Sequence, residues 1–164
     1  MNDCYAEWLV KRKTPAYAIP LKILMVIICV LSVLFAMVSA VGMIVMVVAL
    51  VGAYFLFPYL SLEFEYLVVN DQLTIDKVMG KSKRKRAWEG NMNEAQIIAP
   101  VDSYMVKDYE KQGMKVLDFS SHQPGAKVYA IIHQNGSEAV KVLFEPNDKI
   151  LSCLRQKAPR KVVL

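Results

Sequence analysis

From Ile23 to Leu60 the chain runs 38 residues without an Asp, Glu, Lys, Arg or His. A bilayer core needs roughly 20 helical residues to cross, whereas one helix of this length would reach about 57 Å at about 1.5 Å per residue. A single span cannot use that length without extreme tilt. The run therefore predicts two transmembrane helices, over 22–39 and 42–60, with a reversal in "VSAVG", Val38 to Gly42. Ser39 and Gly42 are the weak helix formers there, and glycine tolerates turn dihedrals. A buried hairpin in a soluble core would carry a polar stripe, and none exists. "FAMVSA" ends like a signal-peptide cleavage site, but the 22 residues before the apolar run are long for the start of a leader.

The basic residues set an expected orientation. Lys11, Arg12, Lys13 and Lys22 precede the first helix, and Lys77, Lys81 and "KRKR" (Lys83–Arg86) follow the second, while the turn is uncharged. The positive-inside rule then puts both termini in the cytoplasm of a two-span protein of the cell membrane. Within the spans, Ser32, Ala36 and Ala40 on helix 1 and Ala49 and Ala53 on helix 2 repeat every four residues. Small residues at that spacing let helix backbones approach closely in lipid. Tyr17, Tyr54, Tyr59 and Trp8 are placed like interfacial aromatics. Proton and ion paths need intramembrane ionisable groups, so a pump or transporter acting alone is not expected.

The expected layout is a cytoplasmic segment over 1–21, the hairpin over 22–60 and a cytoplasmic β domain over 61–164, whose length suits one small core. In the first segment Asn2 and Asp3 are candidate caps and Tyr5, Trp8, Leu9 and Arg12 share helical spacing. The segment reads equally as a short interfacial helix or as a frayed tail. Thr14–Pro15 and Pro20 separate it from helix 1. Cys4, Cys29 and Cys153 are odd in number, far apart and without a CxxC pair. That pattern predicts no disulfide framework, a reducing side for the soluble part and a buried thiol at Cys153.

Beyond Leu62 the period changes. "LEFEYLVV" alternates Leu62, Phe64, Tyr66 and Val68 against Glu63 and Glu65, as a strand does. Asn70–Asp71 is a turn, "QLTIDKVM" a second strand, Gly80 and Ser82 a second turn, and "KRKRAWEG" a third strand. "NEAQIIAPVDSY" fits a short strand or an interrupted helix, and "DYEKQG" a loop. "MKVLDF" reads as a strand, and "KVYAIIH" and "EAVKVLFE" flank Asn135–Gly136, a strong hairpin signal. A closing helix capped by Asn147 or Asp148 carries Ile150, Leu151 and Leu154 on one face, with Arg155 and Lys157 in its last turn. Pro159 stops it, and "RKVVL" is expected to fray.

The predicted class is thus α+β: a transmembrane helical hairpin followed by seven or so β-strands and one closing C-terminal helix. The opening "EYLVVNDQLTIDKVMGKSKRKRAWE" and the single terminal helix resemble bacterial PH-like domains found behind transmembrane hairpins. The start "MNDCYAEWLVKRK" looks like that of small uncharacterised two-span proteins of low-GC Gram-positive bacteria. The resemblance covers 62–157 loosely and implies an antiparallel curved sheet or half-barrel plugged by its C-terminal helix, with no enzyme activity.

Lys81, Lys83, Arg84, Lys85 and Arg86 form the conspicuous polar feature. They are candidates to contact anionic lipid, where each cation contributes about 1 kcal/mol, or a partner protein; the plain alternative is a solvated turn that enforces topology. Nucleic acid is not expected, since residues 61–164 carry 16 Lys+Arg against 13 Asp+Glu, a net of +3. His122 and His133 are isolated, and no HExxH or CxxC spacing suggests a metal. Ser120–Ser121–His122 lacks a GxSxG elbow, and no phosphate-binding glycine motif occurs. The expected function is a membrane-anchored, non-enzymatic binding or scaffold module without cofactor, contacting membrane lipid or a membrane-protein partner. The second reading is an accessory subunit of a transporter or other membrane complex that docks through the hairpin. Nothing in the sequence sets an oligomeric state.

Overall fold

The computed structural model of the chain describes residues 4–80, 83–135 and 138–163. Asn2, Asp3, Lys81, Ser82 and Gly136, each assigned a role above, lie outside the described residues. Two compact units emerge: residues 13–62 with 78–83, and residues 1–12, 63–77 and 84–164.

The smaller unit is a helical hairpin. Helix α1 spans Ala18–Ala36 and α2 Ala40–Tyr59. The first helix starts earlier than expected because Pro20 falls in its first turn, where a missing N–H costs nothing. The reversal takes only Met37–Ser39, and the Ser39 hydroxyl caps α2 by accepting from the Val41 N–H at 3.2 Å. Both helices are long and apolar enough to cross a membrane. Their less exposed residues follow a 4-3 alternation, Met25, Cys29, Ser32 and Ala36 on α1, and Gly42, Met46, Ala49, Ala53 and Leu56 on α2. That spacing is the 3.5-residue seam of two coiled helices. Ala40 is exposed and opens α2, so it is neither on helix 1 nor part of the seam, contrary to the expectation.

The larger unit holds two four-stranded sheets. The first has order β1-β2-β3-β4, with β1 Tyr5–Lys11, β2 Leu62–Val69, β3 Gln72–Met79 and β4 Lys83–Asn91. The predicted three-strand meander is present, but its neighbour is the amino terminus. The expected interfacial helix or frayed tail is a strand antiparallel to β2, from Tyr5 opposite Val69 to Lys11 opposite Glu63. Cys4, Ala6 and Val10 are buried on one face of the strand, although Trp8 between them is exposed, and pairing with the edge of β2 outweighs the short helical spacing of Tyr5, Trp8 and Leu9. The β unit therefore does not begin at residue 61.

The second sheet has order β5-β7-β8-β6, with β5 Ala95–Pro100, β6 Lys115–Asp118, β7 Tyr129–Asn135 and β8 Glu138–Phe144. The β7–β8 pair is the antiparallel hairpin that Asn135–Gly136 signals, and β6 runs parallel to β8. The ambiguous middle resolves into β5 and a one-and-a-half-turn helix α3, Tyr104–Tyr109, so Asp108 and Tyr109 are helical and not loop. The helix α3 covers one sheet face, where Ile97, Ala99, Val106, Ala130 and Ile132 cluster. The closing helix α4, Asp148–Lys157, is capped by the Asn147 side chain, which accepts from the Ile150 N–H at 2.8 Å. Ile150 and Leu154 are fully buried beside it. The tail does not fray: the Ile98 N–H donates to the Lys161 carbonyl and the Val163 N–H to the Ile98 carbonyl, both at 2.8 Å, which extends the β5 edge.

Aromatic contacts join the two sheets. Phe64 meets Phe119 edge to face at 5.5 Å and Tyr66 meets Phe144 at 5.8 Å. The buried Tyr66 hydroxyl donates to the Phe119 carbonyl at 2.7 Å and accepts from the Glu145 N–H at 3.3 Å. Burial holds the Tyr66 phenol well above its ordinary pKa, so it stays neutral. A Cys4–Cys153 disulfide ties the start of β1 to α4. This overturns the expectation of free thiols and of a buried thiol at Cys153. The partners are separated by 149 positions in sequence, and only the pairing of β1 with β2 brings them together.

Candidate functional site

Of the basic run 81–86, Lys81 lies outside the described residues and the other four have different surroundings. Lys83 belongs to the hairpin unit. Its ammonium stands 5.5 Å from the Phe55 ring centroid and 6.0 Å from that of Tyr54, within cation–π range. Tyr54, Phe57, Pro58, Gly80 and Lys83 line a cavity of ≈ 370 Å³ at the C-terminal end of α2. Two local features shape it. Pro58 closes the helix, with the Leu60 N–H donating to the Phe57 carbonyl at 3.2 Å. Gly80 holds φ +58° with its Cα against Pro58, and a Cβ there would stand 2.8 Å from the Pro58 Cβ. The Gly80 N–H donates to the Ser61 carbonyl at 3.2 Å, and the Lys22 ammonium donates to the Ser61 hydroxyl at 3.3 Å. Lys22 and Lys83 thus stand at the hairpin end where α1 begins and α2 stops, among the exposed aromatics Tyr17, Tyr54, Phe55, Phe57 and Tyr59.

Arg84 and Arg86 belong to the larger unit and are paired. Arg84 meets Glu65 at 3.1 Å, and Arg86 meets Asp76 at 3.7 Å as well as Glu89. Lys85 is exposed, and no carboxylate lies within ion-pair distance of it or of Lys83 among the described residues. Glu65, which the alternation places on the face opposite Phe64 and Tyr66, is buried. Its burial, and next the neighbouring Glu7 carboxyl, hold its pKa above the ordinary carboxylate value, while Arg84 opposes them. Glu7 moves the other way, chiefly because the Tyr5 hydroxyl donates to it at 2.9 Å.

The stripe of small residues is mostly internal to the hairpin. Ser32 and Ala53 are buried, Ala36 and Ala49 half-buried, and the Cys29 thiol donates to the Ala49 carbonyl at 3.8 Å. The backbones approach closely at Gly42, where a Cβ would stand 2.3 Å from the Phe35 carbonyl oxygen. Sequence reading took Gly42 for a turn residue; its place one helical turn before Met46 on the seam was the available signal.

The Ser120–Ser121–His122 stretch has no nucleophile geometry. The Ser120 hydroxyl donates to Asp118 at 2.7 Å and the Ser121 N–H to Glu145 at 2.5 Å. His122 Nε2 faces Asp118 at 3.2 Å and Arg12 at 3.2 Å, not a serine. No group of three or more His, Cys, Asp or Glu placed to hold a metal occurs among the described residues.

The family model described as a bacterial PH-like domain (DUF6106) matches residues 2–164. No curated protein and no solved structure matches the chain.

Proposed function

The chain belongs to the bacterial PH-like domain family, and from that premise we propose that it is a membrane-anchored, non-enzymatic module whose hairpin end holds the headgroup of an anionic lipid. PH-like domains are in general non-enzymatic, and the two apolar helices fit a two-span membrane protein. The observation that carries the reading is Lys83: an ammonium without a carboxylate partner among the described residues, over two aromatic rings, at the end of an apolar helix. Such a cation gains about 1 kcal/mol beside an anionic leaflet, and tyrosine suits the headgroup level.

A hairpin of two spans puts both termini on one side. The uncharged turn and the basic residues at the other end favour the cytoplasm for the termini. The Cys4–Cys153 bond pulls the other way, because disulfides persist in oxidising compartments. The charges carry more weight in this reading: they act during insertion, whereas a disulfide forms after the compartment is chosen. The accessory-subunit reading has no comparable support, since most of the small residues that could dock a partner helix are buried or half-buried in the hairpin itself.

The test uses the full chain in a neutral detergent. Phosphatidylglycerol should raise the thermal unfolding midpoint in a salt-dependent way, phosphatidylcholine should not, and Lys83→Gln should remove at least half of the rise. Equal shifts with both lipids, or an unchanged shift in the variant, would overturn the proposal.

A further inference from the structure

Among the described residues of the second sheet, His133 alone has a buried side-chain polar atom without a hydrogen-bond partner. Its side chain is 6% exposed, and its Nε2 has no hydrogen-bond partner among the described residues. Buried polar atoms are almost always paired, so a buried nitrogen without a partner, in the wall of a cleft, points to a ligand. The space is a cleft of ≈ 530 Å³, bordered by β4, β6, β7 and β8 within the larger unit. The Trp88 indole stands edge to face with His133 at 5.5 Å. Gly90 makes that pairing feasible, because a Cβ there would lie 2.5 Å from the indole and 3.1 Å from the imidazole.

The charges around the cleft define what it would take. Glu89 is occupied by Gln72 and Arg86. Glu94 is 64% exposed, with one oxygen 3.7 Å from His133 Nε2, too far for a hydrogen bond. Lys115 has no carboxylate within ion-pair distance among the described residues. One available acid, one available ammonium, one buried imidazole and the apolar Trp88, Leu117 and Val140 remain. A cation alone would meet Lys115 and an anion alone would meet Glu94; a molecule carrying both charges satisfies the two together. We propose that this cleft binds a small zwitterion of the free amino acid class, with its ammonium toward Glu94 and His133, its carboxylate toward Lys115 and its side chain against Trp88. The inference is independent of the lipid contact at Lys83.

The chain has two histidines, so full-length protein carrying carbon-13 at histidine Cε1 gives two ring signals by NMR, and His122→Gln assigns them. The probes are L-leucine, 3-methylbutylamine (leucine without its carboxylate) and 4-methylpentanoate (leucine without its amine). Leucine should shift the His133 signal saturably and leave His122 in place, with both analogues at least tenfold weaker. Lys115→Gln should weaken leucine at least tenfold without changing the amine, and Glu94→Gln should weaken leucine without changing the carboxylate. Both side chains are exposed, so neither variant disturbs the core. An unmoved His133 signal, analogues equal to leucine, or variants equal to wild type would overturn the proposal.

Discussion

Glu65 shows how a single side chain can depart from its sequence pattern. Alternation assigns it to the face opposite Phe64 and Tyr66, which is correct, but alternation cannot say that this face is covered. With its side chain 7% exposed and Glu7 and Asp76 nearby, the carboxyl takes up its proton more readily in the folded chain than in the unfolded one. The sign follows from linkage. Between the ordinary carboxylate value and the raised value the folded state binds more protons, so stability falls as pH rises through that window. Glu7, with a lowered pKa, acts in the opposite sense below its ordinary value. Glu65→Gln should therefore flatten the decline of the unfolding midpoint above about pH 4.5, where the unfolded carboxyl ionises, and leave more acid conditions unaffected. Parallel pH profiles for variant and wild type would refute this. His133 is legible in the same limited way: the sequence shows an isolated histidine, and only the proximity of β7 to β4 gives it Trp88 and Gly90 as neighbours.

Among the elements, the hairpin was the most legible. Lipid demands about 20 apolar residues per helix, and a run of 38 permits little else. The seam was less legible, because small residues are common in any span and only the helix phase separates Gly42 from Gly52. The structure distinguishes them sharply. A Cβ at Gly42 meets the Phe35 backbone, whereas one at Gly52 meets only the Met25 methyl at 3.9 Å. Gly42→Ala should then destabilise the detergent-solubilised chain by about 1–3 kcal/mol, the usual cost of overpacking. Gly52→Ala should be neutral or stabilising by up to about 1 kcal/mol, as alanine is the better helix former. Thermal unfolding of the two variants side by side decides the matter; equal midpoints would mean that Gly42 is not at a point of close approach. The strand β1 was missed for a different reason. Seven residues with two buried alanine- or valine-sized side chains carry little periodic signal, and the preference for a strand comes from the free edge of β2.

For the molecule as a whole, the Cys4–Cys153 bond is the clearest case of tertiary structure contradicting sequence arithmetic. It closes a loop of 149 positions, long enough that the chain-entropy model gives about 4–5 kcal/mol, with about 2–5 kcal/mol the usual observed range. Oxidised full-length protein should show a single reactive thiol after unfolding, Cys29, the free cysteine. Reduction of the wild type should lower stability by an amount in that range and expose two further thiols, whereas Cys4→Ser should lower it similarly and expose one further thiol, Cys153. Three reactive thiols without reductant would remove the bond from the account.

What the sequence determined alone is everything governed by local period and solvent: the two oily helices, the meander, the β7–β8 hairpin and the capped last helix. Each of these follows from the spacing of apolar residues and from turn and cap chemistry within a few positions. What only the tertiary structure decided is every feature made by residues distant in the chain. These are the amino-terminal strand on β2, the carboxy-terminal bridge to β5, the disulfide, the covered carboxylate and the unsatisfied imidazole beside a tryptophan. The physical reason is that burial and partnership are properties of pairs of surfaces, and one strand's sequence records its own two faces but not what comes to lie against them.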